Sequence, residues 1–152
     1  MVRVPTFIYA EESRNEVHSK GQKMNIVNPL LVFSPKYLPG QFSFSVAIGM
    51  LEVDYSQTHV FRYLLRGPKS EQEPIVDTGD VPIPSQLNPR NLPLEMQGIF
   101  MGFDLRNIDL EDEGKYISEV FLDGESIGTF PIFAKGMNVD VQKPTVGLSA
   151  TE

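Results

Sequence analysis

The 152-residue chain carries 13 Lys and Arg against 20 Asp and Glu, a net charge of −7, and contains no cysteine. That length suits one domain with one self-supporting core, and the missing cysteine excludes a disulfide framework, thiolate metal sites and thiol catalysis. An acidic surface field, with a pI near 4.8, repels phosphate, so direct nucleic-acid binding is disfavoured and basic protein partners are admitted.

Along the chain the dominant apolar period is two. Residues 6–10 and 24–33 read as strands, with Pro29 confined to an edge or a bulge because it has no N–H to give to a ladder. Residues 41–50 alternate most strictly, with Phe42, Phe44, Val46, Ile48 and Met50 on one face and Ser43, Ser45, Ala47 and Gly49 on the other, the pattern of a half-buried antiparallel strand. Residues 58–66 repeat the alternation and are expected to pair with the preceding strand across 55–57, with His59, Phe61, Tyr63 and Leu65 sharing a face. Short strands follow at 74–78 and 94–105, the latter with bulges expected at Gly98 and Gly102, and 85–93 reads as a long loop. Strands at 115–123 and 126–135 flank Asp123-Gly124, the dipeptide a type I′ hairpin prefers because both central residues need positive φ. Proline or glycine interrupts nearly every window in which a helix could begin, and residues 136–152 read as a loosely ordered tail after a domain spanning 1–135. The fold class is therefore all-β, an immunoglobulin-like antiparallel β-sandwich of about eight strands with little helix.

The most specific local signature is Asp112-Glu113-Gly114-Lys115-Tyr116 at the entry to a strand. A tyrosine so placed turns its hydroxyl back to the backbone upstream and pins the corner between two strands of an immunoglobulin-like sandwich, with Gly114 supplying a strained conformation and Asp112 accepting turn hydrogen bonds. Ser118 stands where such domains carry a cysteine, and there is no Trp. The order of elements, from Phe7-Ile8-Tyr9-Ala10-Glu11-Glu12 through proline-rich connections to the Gly114–Tyr116 strand and the Asp123-Gly124 hairpin, resembles a family of small β-sandwich proteins of bacteria and their phages. That resemblance implies a sandwich and a cytoplasmic setting in a bacterium or an infected one, and brings neither an activity nor catalytic residues.

Candidate chemistry is sparse. Residues 104–125 hold eight acids against Arg106 and Lys115, nearly the whole net charge, and Asp109, Glu111, Glu113 and Glu125 are candidates for docking a basic partner. The same acids suit a solvated hairpin whose charges protect an edge, and they match no recognised calcium loop. His18, in the polar 13–23 loop, and His59 have no acid at the spacing of a metal site, and no Gly-x-Ser-x-Gly elbow accompanies them. The apolar run containing Met96, Met101 and Phe103 is either a strand buried on both faces or an interface strand. No stretch reaches the ~18–20 apolar residues of a membrane span, and no cofactor motif is present. The leading functional expectation is a non-catalytic, cytoplasmic protein-binding or accessory protein acting through an exposed edge strand or loops, with self-association open. The alternative is an acidic inhibitor occupying the basic groove of a nucleic-acid enzyme, and a hydrolase ranks third.

Overall fold

The computed structural model describes residues 1–18, 21–69 and 73–137. Among the described residues ten strands follow in order: β1 Arg3–His18, β2 Gly21–Leu30, β3 Val32–Phe33, β4 Gly40–Leu51, β5 His59–Arg66, β6 Val76–Asp77, β7 Val81–Ile83, β8 Gly98–Leu110, β9 Gly114–Leu122 and β10 Glu125–Ala134. A 3₁₀ turn, Leu94–Met96, precedes β8. One sheet has the order β2-β1-β4-β8; the other has the order β3-β10-β9-β5-β6, with β7 also on β5. The two sheets stack as a sandwich around an apolar core that includes Phe33, Phe44, Val46, Ile48, Phe61, Leu65 and Val120, all fully buried. Aromatic rings bridge the layers, with Phe33 and Phe44 centroids 4.5 Å apart and Phe103 stacked on Phe61 at 5.3 Å.

The topology follows the immunoglobulin plan. In that plan B and E are neighbours in one sheet and G, F and C in the other, which here are β4-β8 and β10-β9-β5. The first strand of the plan is β2 continuing into β3: the chain leaves the first sheet at Leu30, crosses at the exposed Leu31 and joins the second sheet parallel to β10. The N-terminal β1 is an addition, inserted between β2 and β4.

The tyrosine corner is present as expected. The Tyr116 hydroxyl donates to the Asp112 carbonyl at 2.7 Å and accepts from the Asp112 N–H at 3.3 Å. Gly114 holds φ +134, and a Cβ there would stand 3.1 Å from Pro68. At the β9–β10 hairpin Asp123 and Gly124 have φ of +52 and +83, as a type I′ turn requires.

Several expectations are corrected. Strands β4 and β5 do not form a hairpin; they lie in different sheets, because Glu52, at φ +66, bends the chain out of the first sheet and the following residues span the end of the sandwich. Residues 24–33 are two strands, not one, split by the crossover at Leu31. The polar 13–23 stretch is not a loop, since its described backbone is the paired arm of β1 and β2; the His18 side chain lies outside the described residues. Pro29 does sit on an edge strand, β2.

The bulge in β8 is not at Gly98 or Gly102. It lies between the pairs Phe42–Ile108 and Phe44–Leu105, where Asn107 adopts φ +54 and gives its N–H to Ser43 Oγ at 2.9 Å. Gly102 is needed instead for close approach, because a Cβ there would stand 2.9 Å from Met24 Cε. The β1–β2 arm thus lies across the outer face of β4 and β8, which is why Ser45 and Ala47, expected on a solvent face, are buried. The expected 136–152 tail is described only through Met137, and the remainder lies outside the described residues.

Candidate partner-binding edge

Strand β8 ends its sheet. It is held at both ends by bonds that the neighbouring loops supply. At the start, Tyr55 Oη donates to the Gly98 carbonyl at 2.5 Å and accepts from the Gly98 N–H at 2.8 Å, while the Gln97 side chain bonds the Tyr55 N–H and the Leu92 carbonyl. At the finish stand the Asn107 bulge and the tyrosine corner. Between them, Gly98–Leu105 runs in unbroken register with β4 and contains no proline.

The run containing Met96, Met101 and Phe103 is not buried on both faces. Ile99, Met101, Phe103 and Leu105 point inward and Phe100 points outward at 53% exposure, shielding Gly49, while Met96 is exposed in the 3₁₀ turn. The inward row is itself only half-buried, although its partners on β4, Met50, Ile48, Val46 and Phe44, are fully buried. In the immunoglobulin plan a further strand, D, sits beside E. Here residues 84–93 form a loop instead, and no described strand occupies that position.

Several other described edges carry a device against pairing, of the kind natural sheets use. Strand β2 has Pro29 and the positive-φ Asn28, β10 has Pro131 and a bulge, and β3, β6 and β7 are two or three residues long. Strand β8 presents eight regular residues without such a device on an edge with an apolar inner row, whereas the free side of β1 beyond Ala10, which pairs only with β2, carries Glu11, Glu12, Arg14 and Glu16.

Beyond the bulge, the end of β8 opens into a groove of about 450 Å³ between the β8–β9 corner and the β5–β6 connection, lined by Ile108, Asp109, Glu111, Asp112, Lys69 and Ile75 among others. Asp112 is bridged by Lys69 at 3.4 Å, leaving Asp109 and Glu111 as the exposed anionic rim. The sequence cluster of acids is not one surface. Glu111 and Glu113 lie at the corner before β9, whereas Asp123 and Glu125 lie at the hairpin after it, and nine residues of extended strand separate the two ends by roughly 26 Å. Several of the remaining acids are spent internally: Glu119 pairs with Arg66 at 2.9 Å, Asp104 binds Ser45, and Glu113 accepts the Gly136 N–H at 3.3 Å. Among the described residues no three His, Asp or Glu side chains converge as a metal site would need.

His59 is packed, at the start of β5. Its Nδ1 lies 2.7 Å from Asp123 Oδ2 and its Nε2 2.8 Å from the Asp54 carbonyl. Both partners accept, so the arrangement favours protons on both nitrogens, the imidazolium form. Burial alone lowers the His59 pKa, but the Asp123 carboxylate and the Asp54 carbonyl outweigh it and leave it above the ordinary value. Burial likewise pushes Asp123 up, and the hydrogen bonds from His59 and from the Val60 N–H turn the net direction downward. With Nε2 donating to a carbonyl, His59 has no lone pair for a Ser56 or Ser43 proton, and Ser56 Oγ bonds Asp54 instead.

One feature was invisible in the sequence. The Tyr9 hydroxyl meets Ser118 Oγ at 2.7 Å and the Phe130 carbonyl at 2.5 Å, and Tyr63 Oη meets the same Ser118 Oγ at 2.6 Å. A carbonyl only accepts, so the proton order is Tyr63 to Ser118 to Tyr9 to Phe130, a relay that joins β1 in one sheet to β9 in the other, with Ser118 at the position of the immunoglobulin F-strand cysteine. Burial raises the Tyr9 pKa to about 12 and pushes Tyr63 higher still. Ser118 at the cysteine position was the available signal, but its partners come from strands 109 and 55 residues away.

No protein-family model and no curated protein matches the chain. Among solved structures it is similar to an immunoglobulin-like protein from Pseudomonas aeruginosa, at 13% identity and a TM-score of 0.33, over 89% of this chain and 97% of that one. No helix among the described residues is long and apolar enough to cross a membrane.

Proposed function

We propose that the protein is a non-catalytic binding module whose edge strand β8 accepts an extended segment of a protein partner. The observation that carries this reading is the unguarded Gly98–Leu105 edge with its half-buried inner row of Ile99, Met101, Phe103 and Leu105. An added strand satisfies the open backbone groups of the edge, and its alternate side chains cover that row. Asp109 and Glu111 at the end of the edge favour a basic residue on the incoming segment and speed its approach. Glu125, at the far end of β9, takes no part.

The test is affinity capture from bacterial lysate with the wild-type protein, a Met101→Lys variant and an Asp109→Asn/Glu111→Gln variant, each washed in a salt series. A partner retained through high salt by the wild type, lost from Met101→Lys and weakened at low salt by the acid variant supports the edge. Retention by a folded Met101→Lys protein refutes it.

A further inference from the structure

We propose that residues 137–143 of a second copy supply the strand that β8 lacks, so that copies join head to tail. This rests on the reading of β8 as an accepting edge, and names its occupant.

In the sequence after β10, Met137, Val139 and Val141 alternate with Asn138, Asp140 and Gln142, and Lys143 and Pro144 follow. That is the period-two pattern of a strand with one apolar row, ended by a proline. Its apolar row has the character needed to cover Met101, Phe103 and Leu105, and its polar row would face solvent beside Asp104 and Arg106. Lys143 falls on the apolar row's side at the end of the segment. Run parallel to β8, the segment brings Lys143 to the groove rimmed by Asp109 and Glu111, so charge selects that direction.

The geometry of the exit makes the donor a second copy. Past β10 the Lys135 N–H bonds the Phe33 carbonyl at 3.0 Å and the Met137 N–H bonds the Pro35 carbonyl at 2.8 Å, so the chain leaves alongside β3. That flank, where β1 and β10 meet through Tyr9 and Phe130, is opposite the flank where β8 meets β5 through Phe103 and Phe61. The donor end and the accepting edge of one copy therefore lie on different sides of the sandwich. Such a contact is heterologous, and it builds rings or filaments rather than two-fold dimers.

The experiment is sedimentation velocity of the full chain across a concentration series, with Val139→Asp, Met101→Lys, Lys143→Glu, and Lys143→Glu combined with Asp109→Lys. The expected result is association beyond the dimer in the wild type, weakened at least about tenfold by Val139→Asp and by Met101→Lys, because each puts a charge into the covered row. Lys143→Glu should weaken it several-fold and the Asp109→Lys combination restore it. Thermal melts of each variant confirm that it is folded, so a loss caused by Val139→Asp is read independently of how the Met101 variant folds. A wild type that stays monomeric at every concentration overturns the proposal. Association that survives Val139→Asp but not Met101→Lys overturns the tail as donor while leaving the accepting edge intact, and association that survives both overturns the tail and places the contact elsewhere.

Discussion

Replacing Ser118 by Ala tests the buried hydroxyl relay. Ser118 is fully buried and both accepts from Tyr63 and donates to Tyr9, so the substitution removes two hydrogen bonds at once. Tyr9 keeps its bond to the Phe130 carbonyl, and losing the one it accepts costs about 1 kcal/mol. Tyr63 fares worse: its hydroxyl, also fully buried, is left a donor without an acceptor, at about 1–3 kcal/mol. The expected loss is about 2–4 kcal/mol, a drop in Tm of roughly 5–15 °C for a domain of this size. Tyr63→Phe removes only the terminal donor and should cost about 1 kcal/mol, since Ser118 still donates to Tyr9. The double variant has no orphaned donor and should be no less stable than Ser118→Ala alone, a coupling of about 1 kcal/mol or more. Urea unfolding of the four proteins measures the cycle. Costs that add to within about 0.5 kcal/mol would show that the protons do not run from Tyr63 through Ser118 to Tyr9.

The His59 clamp makes stability depend on pH from both sides. The folded pKa of His59 is raised, so its contribution is complete below its ordinary value of 6.5 and is lost as pH rises through the folded value; that of Asp123 is lowered, so its contribution is complete above 3.8 and is lost as pH falls through the folded value. Unfolding midpoints should therefore decline as pH rises above 6.5 in the wild type and lose that decline in His59→Gln, while an imidazole titration by NMR with a midpoint below 6.5 would contradict the clamp. Gly114→Ala, at φ +134 and with Pro68 3.1 Å from the new Cβ, should destabilise by at least about 1 kcal/mol in a thermal melt. Tyr55→Phe removes both bonds to Gly98 and should speed amide exchange at the start of β8 far more than in β9, which hydrogen-exchange mass spectrometry resolves.

What the sequence made legible was local. The Asp123-Gly124 hairpin, the Tyr116 corner and the alternation of β4 depend on residues a few positions apart, and each is where the pattern placed it. What it hid was the pairing of distant segments. The β4–β5 hairpin was a reasonable reading of two adjacent alternating runs, yet a sandwich sends the second run to the other sheet, and nothing in either run encodes that choice. Ser45 and Ala47 looked solvent-facing because the covering arm comes from β1 and β2, and Gly102 looked like a bulge because Met24, which needs the space, lies far away in sequence. The acids of 104–125 formed one cluster in the sequence and two poles in space, because a single extended strand runs between them. Met101 and Phe103 stood out correctly as apolar, but only the sheet order shows that they border an open edge.

That edge is pre-shaped rather than loose, and this bears on what it can bind. Its start is fixed by Tyr55 and Gln97, its finish by the Ser43-bonded bulge, and its whole length by β4. An acceptor already ordered adds little entropy cost on association, so nearly all of the ordering falls on the incoming segment. A short segment with a strong period-two pattern meets that cost most readily, since one residue of slip would turn its apolar row away from Met101 and Phe103. On the proposed reading the half-buried row would select register as well as hydrophobicity, and the acidic groove beyond Asn107 would select direction, because a basic residue gains there only when it arrives at the far end of the strand. On the proposed reading, edge, row and groove together would discriminate among extended segments.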